Sequence, residues 1–186
     1  MSDRRARILE SAVGVFGRYG FKRCSMEDIA EAAGMSRPAL YQHFKNKTEI
    51  FRAGSEWAQN SAVDAAAVIA AAPAMTLAER LGAMLMAYKG PAWRVIATTP
   101  HGEEMLGLNA TLAEDVTELA IARAVEVFAE AIDREQAGGW DAAETASLLT
   151  ASAWAASMRA KDEAAFEATM RGLAVIWAAA VTRPKA

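Results

Sequence analysis

The sequence predicts an all-α protein of about nine helices, with a short three-helix head at the N-terminus and a longer helical body behind it. Three observations carry this prediction. Apolar residues fill 53% of the 186 positions and only five residues are Pro, with Ala abundant, a composition that favours helices. Along most of the chain the apolar positions recur at i, i+3, i+4 and i+7, the spacing of a helix face. Capping residues (Ser25, Ser36, Thr76, Asp141 and Asp162) stand just ahead of these stripes, and Gly or Pro often follows them. A chain of this length can build a sizeable core in one or two domains. The boundary is expected between residues 46 and 47, with 1–46 as the head and 47–186 as the body.

The first helix is expected from about Arg4 to Arg18, burying Ile8, Ala12, Val15, Phe16 and Tyr19. Gly20 ends it in a left-handed turn, and Phe21 packs back. Arg4, Arg5 and Arg7 precede that core, either as a solvated tail or as contacts to phosphate. Ser25 caps a second helix, and Asp28 three residues on completes a variant capping box. Ile29, Ala30 and Ala33 give this helix its apolar face, and Gly34 suits the position just past its end. Ser36 caps a third helix, with Pro38 in the first turn, where a missing N–H costs little. Leu40 and Phe44 then point inward together, which leaves Arg37, Tyr41, Gln42 and His43 facing out.

Two short helices joined by a Gly turn form a helix-turn-helix, and this outward set suits a duplex. Arg reads guanine, Gln can bond adenine bidentately, and Pro or Ala can touch a thymine methyl. Arg37, Pro38, Ala39 and Gln42 are therefore the expected base-reading set. Ser25, Ser36, Tyr41, His43 and Lys47 are the expected phosphate set. The plainer readings are that both serines only cap helices and that Tyr41 and His43 pack on the head. Glu27 is acidic beside this surface and is expected to face away from phosphate. Charge is divided along the chain: residues 1–52 carry net +4 and residues 53–186 net −7. A basic head on an acidic body suits a contact with nucleic acid at one end.

The fourth helix is expected to start at Asn46 or Lys47. Ile50, Phe51 and Gly54 face the head, and Trp57, Ala58 and Ser61 carry the helix on toward Pro73, which ends it or forces a break. Thr76 and Glu79 box the start of a fifth helix through Leu77, Leu81, Met84, Leu85 and Tyr88, which Gly90-Pro91 is expected to stop. Residues 93–97 form a short sixth helix and 98–102 a loop. A seventh helix begins somewhere between Glu103 and Glu114 and ends at Gly138-Gly139. Its core positions are Leu112, Val116, Leu119, Ala120, Ala124, Val127 and Ala131.

Asp141 caps an eighth helix and Asp162 a ninth. Both carry apolar residues on more than one side, which predicts a homodimer through a four-helix bundle, the alternative being a monomeric core. The expected interface is Leu148, Ser152, Ala155, Phe166, Met170, Leu173, Trp177 and Val181. A small-molecule pocket is expected between body helices, lined by Trp57, Met84, Tyr88, Trp93, His101, Met105, Trp154 and Met158, each of which also reads as core packing. His101 and Glu104 are its polar candidates.

Enzyme chemistry has no constellation to rest on. The two histidines are His43 and His101, and His101-Gly-Glu-Glu-Met105 lacks the second His of a zinc-protease helix. No P-loop, Gly-x-Ser-x-Gly elbow or paired-Cys motif appears, so no metal, cofactor or catalytic residue is expected. The single Cys excludes an internal disulfide framework and fits a reducing cytoplasm. The start of the chain lacks the apolar core of a signal peptide, and the Ala-rich run around 65–78 is too broken for a membrane span. A cytoplasmic location without a membrane is expected.

From Ile8 to Phe51 the chain resembles the N-terminal domain of the TetR (tetracycline-repressor) family of bacterial transcriptional regulators. The matching residues are Ile8-Leu9-x-x-Ala12, Phe16-x-x-Tyr19-Gly20-Phe21, Ser25-x-x-Asp28-Ile29-Ala30, Ala33-Gly34-Met35-Ser36 and Leu40-Tyr41-x-His43-Phe44-Lys45-Asn46-Lys47. The resemblance implies a homodimer on a palindromic operator, released by a small, partly apolar ligand, and it implies a phosphate contact for Lys47. The other reading kept open is a DNA-binding protein that senses no small molecule and acts through a protein partner.

Overall fold

A computed structural model describes residues 3–135 and 139–183. Among the described residues there are nine helices and no strand: α1 (Asp3–Tyr19), α2 (Met26–Ala32), α3 (Arg37–Tyr41), α4 (Lys47–Ala70), α5 (Leu77–Thr98), α6 (Gly102–Leu112), α7 (Glu114–Asp133), α8 (Ala142–Ser157) and α9 (Glu163–Val181). Packing divides them into two compact units. One holds the described residues up to Gln59 together with Arg94–Glu118, and the other holds Asn60–Trp93 and the described residues from Leu119 onward. The packing therefore does not divide at 46/47, because the start of α4 and all of α6 share a core with the head.

In the first unit, Ile8, Leu9, Ala12, Val15 and Phe16 of α1 bury against Ile29 and Ala30 of α2, Leu40, Phe44, and Ile50 and Phe51 of α4. Phe16, Phe21 and Phe51 form a triangle of rings with centroids 5.3 to 5.8 Å apart, a geometry worth more than its area alone. Tyr19 departs from expectation. It is 56% exposed, because the stripe ends at Phe16 and α1 closes at Gly20, which has φ +80° and whose N–H donates to the Phe16 carbonyl. A side chain at Gly20 would meet both the strained φ and the His101 and Glu104 side chains. Cys24 is buried, and burial first and then the Asp28 charge push its thiol up to about 11, which makes it inert.

In the second unit, Leu77, Leu81, Met84, Leu85, Tyr88 and Trp93 of α5 pack with Phe128 and Ile132 of α7, Leu149 of α8 and Phe166 and Met170 of α9. Trp93 stacks on Phe166 at 4.7 Å, and Tyr88 lies 6.1 Å from Phe128. Gly90-Pro91 does not stop α5, which runs on to Thr98. The proline forfeits one helical hydrogen bond and costs about 3 kcal/mol. Burying Tyr88 on one side of it and Trp93 on the other returns about 1.5–3 kcal/mol apiece, so the helix continues. The short sixth helix expected at 93–97 is thus the end of α5. The expected seventh helix begins at Glu114, the late end of its range, as α7, and residues ahead of it form a separate helix, α6, that ends at Leu112. Its core also differs: Leu119 is exposed, while Phe128 and Ile132 are sealed. The expected stop at Gly138 lies outside the described residues, and Gly139 has φ +60°.

Asp141 and Asp162 cap α8 and α9, accepting from the backbone N–H groups of Glu144 and Ala165 at 2.8 Å. By length and composition α9 could cross a membrane, but Phe166, Met170, Ala174, Ala178 and Val181 turn into the core of this unit. Its other side, at Ala168, Gly172, Val175, Ile176 and Ala179, is exposed, as are Leu148, Ala151 and Ala155 on α8.

Candidate nucleic-acid interface

The candidate interface is α3 with the turns that hold it. At its approach, the Ser25 hydroxyl donates to Asp28 Oδ2 at 2.7 Å and accepts the Asp28 N–H at 3.2 Å, while the Ser25 N–H donates to the same carboxylate at 2.7 Å. These bonds, the side-chain one first, hold the Asp28 carboxyl below its ordinary pKa. Past α2, Gly34 takes φ +65°, and the Met35 N–H reaches the Ala30 carbonyl at 2.9 Å. The chain thereby reverses within four residues. Ser36 accepts the Ala39 N–H at 3.3 Å, and Pro38 sits in the first turn as expected. Leu40 and Phe44 are sealed in the core. Anchored from below, α3 leaves Arg37, Pro38, Tyr41 and Gln42 exposed, with Ala39 and His43 half-buried.

Arg37 lies 3.9 Å from Glu27 and has its guanidinium 5.6 Å from the Tyr41 ring. Tyr41 first and Glu27 after it raise the Arg37 pKa above its ordinary value. Glu27 is therefore not turned away from this surface; it pairs with the arginine expected to read bases.

Two members of the expected phosphate set are engaged within the protein. The Ser25 hydroxyl proton belongs to Asp28. The Lys47 ammonium donates to the carbonyls of Phe21, Lys22 and Cys24 at 2.7, 3.2 and 2.9 Å and lies 4.7 Å from the Phe21 ring centre. All three of its donors close the loop after α1, so in this structure Lys47 is held within the head rather than presented to a phosphate. The first turn of α4 is instead capped by Asn46, which accepts the Glu49 N–H at 2.9 Å, while Glu49 accepts the Lys45 N–H at 2.7 Å. Sequence reasoning did not see these contacts of Lys47, because its partners are backbone carbonyls more than twenty residues away. Arg5 stacks 4.4 Å over the Phe44 ring, so it is more than a solvated tail.

The expected pocket residues are divided between the two units. Trp57, His101 and Met105 belong to the first unit, and Met84, Tyr88, Trp93, Trp154 and Met158 to the second. Met84 and Trp93 are sealed in the core, and Met158 is exposed. His101 Nδ1 lies 3.2 Å from Glu104 Oε2, and its backbone N–H reaches the Gly17 carbonyl at 3.2 Å. It lines an open cleft of about 490 Å³ with Arg18, Tyr19, Arg23, Asp28 and Glu31. Of the expected dimer residues, Leu148 and Ala155 are exposed and Ser152, Leu173 and Trp177 half-buried. Phe166, Met170 and Val181 are corrected, because that stripe packs into its own unit. Among the described residues no three His, Cys, Asp or Glu side chains gather as a metal site.

Among the described residues, which are helical throughout apart from turns, the head carries a helix-turn-helix whose second helix, α3, is capped and anchored over a buried aromatic core. Residues 8–53 match the family described as bacterial regulatory proteins, tetR family. Over 51 residues it is 45% identical to the HTH-type transcriptional regulator TtgR of Pseudomonas putida, a match that covers 27% of this chain and 24% of that protein. The chain thus matches only about a quarter of the length of such curated relatives.

Solved structures extend the likeness over nearly the whole chain. A protein described as a TetR-family transcriptional regulator from Mesorhizobium loti superposes with a TM-score of 0.75 at 18% identity, covering 95% of this chain and 96% of that one. SmeT, the repressor of the Stenotrophomonas maltophilia multidrug efflux pump SmeDEF, gives 0.67 at 20% identity over 98% and 97%. Its complex with triclosan gives 0.68 at 20% identity over 100% and 97%. At these identities the structures establish the fold.

Proposed function

We propose that this chain is a cytoplasmic homodimeric repressor that reads a palindromic operator with α3 and is released by a small, partly apolar ligand held in the second unit. One observation carries the reading: α3 is anchored by Leu40 and Phe44 and leaves Arg37, Pro38, Tyr41 and Gln42 exposed, within a segment that matches a family of regulators. Arg37, Pro38, Ala39 and Gln42 read bases in the major groove, while Ser36, Tyr41 and His43 meet phosphate. Two copies set α3 about 34 Å apart, one turn of duplex. The second copy seats on the outward faces of α8 and α9, around Leu148, Ala151, Ala155, Gly172, Val175 and Ile176, with Ser152, Leu173 and Trp177 at the margin. The triclosan complex of SmeT supports a small-molecule effector. Such a ligand moves the equilibrium only as far as its affinities for the two states differ.

Binding-site selection from random duplexes tests the first half. Arg37→Ala is expected to relax base preference by about 1–3 kcal/mol per contact while random-sequence binding changes little. Equal loss on both would remove Arg37 from the base-reading set. A screen of small molecules for release of the selected operator tests the second half. If nothing in the screen releases DNA, the reading as a regulator acting through a protein partner takes its place.

A further inference from the structure

Beside the core of the second unit stands a half-buried cation that no counter-ion faces among the described residues. Lys89, near the middle of α5, is partly buried, and its Nζ lies 4.0 Å from the Tyr88 ring centre and 5.4 Å from that of Trp154 on α8. No carboxylate and no hydrogen-bond acceptor faces this ammonium among the described residues. Burial alone pulls its pKa down to about 8. Ring faces return part of what a cation loses on leaving water, but not all of it. An anion brought against the ammonium in this low-dielectric surrounding would supply the rest. The neighbourhood is otherwise aromatic: Tyr88 lies against Phe128, and Trp93, stacked on Phe166, belongs to the same core. Two residues on, Pro91 has no N–H to give the Ala87 carbonyl. The helix that carries Lys89 is therefore one bond short at that point and can yield to a guest.

From this arrangement we infer that the effector is an apolar carboxylic acid with a flat or extended body, its carboxylate paired with Lys89 between Tyr88 and Trp154. A single cation with no second positive group beside it among the described residues matches one negative charge, so a carboxylate suits it better than a phosphate dianion. The inference rests on the effector reading above and specifies its chemistry.

Matched acid and amide probes test it on the full-length protein. Binding of 2-naphthoate against 2-naphthamide, and decanoate against decanamide, would be followed by tryptophan fluorescence and calorimetry. For wild type, the acid of at least one pair is expected to bind tenfold or more tighter than its amide. That preference should vanish in Lys89→Met and return in Lys89→Arg. The wild-type comparison stands even if Lys89→Met fails to fold. Acid and amide binding equally well, or neither pair binding at millimolar concentration, overturns the carboxylate anchor. In both cases the effector reading survives if a neutral molecule in the release screen frees the operator, and it falls if none does.

Discussion

At the scale of single residues, Lys47 shows how position and role can separate. It stands where a helix N-terminus could gather phosphate, yet its ammonium spans back to the carbonyls of Phe21, Lys22 and Cys24. Hydrogen bonds from a charged donor are worth more than neutral ones, and losing this set while the stem stays half-exposed should cost about 1–2 kcal/mol. Lys47→Ala is therefore expected to lower the urea midpoint of the protein. In samples that remain folded, the dependence of DNA binding on salt should stay as in wild type. A salt slope flattened by about one unit would instead return Lys47 to the phosphate contacts.

At the scale of elements, the head depends on caps. The box between Ser25 and Asp28 starts α2, and α2 sets the turn that presents α3. Because the native hydrogen bonds hold the Asp28 pKa below its ordinary 3.8, the box contributes stability that is present above that value. The contribution is lost as pH falls through the lower, folded value. Asp28→Asn should lower the melting temperature at pH 7, and the gap to wild type should narrow as pH falls below 3.8 and through the lower folded value. A constant gap across that range would mean that the charge plays no part. In α5 the balance runs differently, since one missing hydrogen bond at Pro91 is outweighed by apolar burial at Tyr88 and Trp93. That is why a Gly-Pro pair fails to end it.

At the scale of the molecule, the exposed sides of α8 and α9 separate the two uses of apolar surface in the C-terminal pair. Ile176 is 65% exposed and Met170 is sealed. Ile176→Asp is expected to leave folding within about 0.5 kcal/mol of wild type, as surface changes usually do, and to shift the protein to monomers in sedimentation velocity. Operator binding should weaken with it. Met170→Ala should instead cost about 2–5 kcal/mol of folding stability. If Ile176→Asp stays dimeric, the partner copy does not sit on this face.

The residue pattern alone settled the all-helical class, the caps at Ser25, Ser36, Asp141 and Asp162, and the inward pair Leu40 and Phe44. These follow from local rules: a cap bonds within three residues, and a helix face repeats every three to four. The exposed set on α3 was legible for the same reason, since whatever its anchors bury leaves the opposite side outside. Tertiary packing decided the rest. It carried α5 through Pro91, turned the Phe166–Met170–Val181 stripe inward, took Lys47 for the loop after α1 and set Lys89 beside the rings of Tyr88 and Trp154. Each of these depends on what lies across from a residue in space, and helical periodicity reports which residues share a face but not what that face meets.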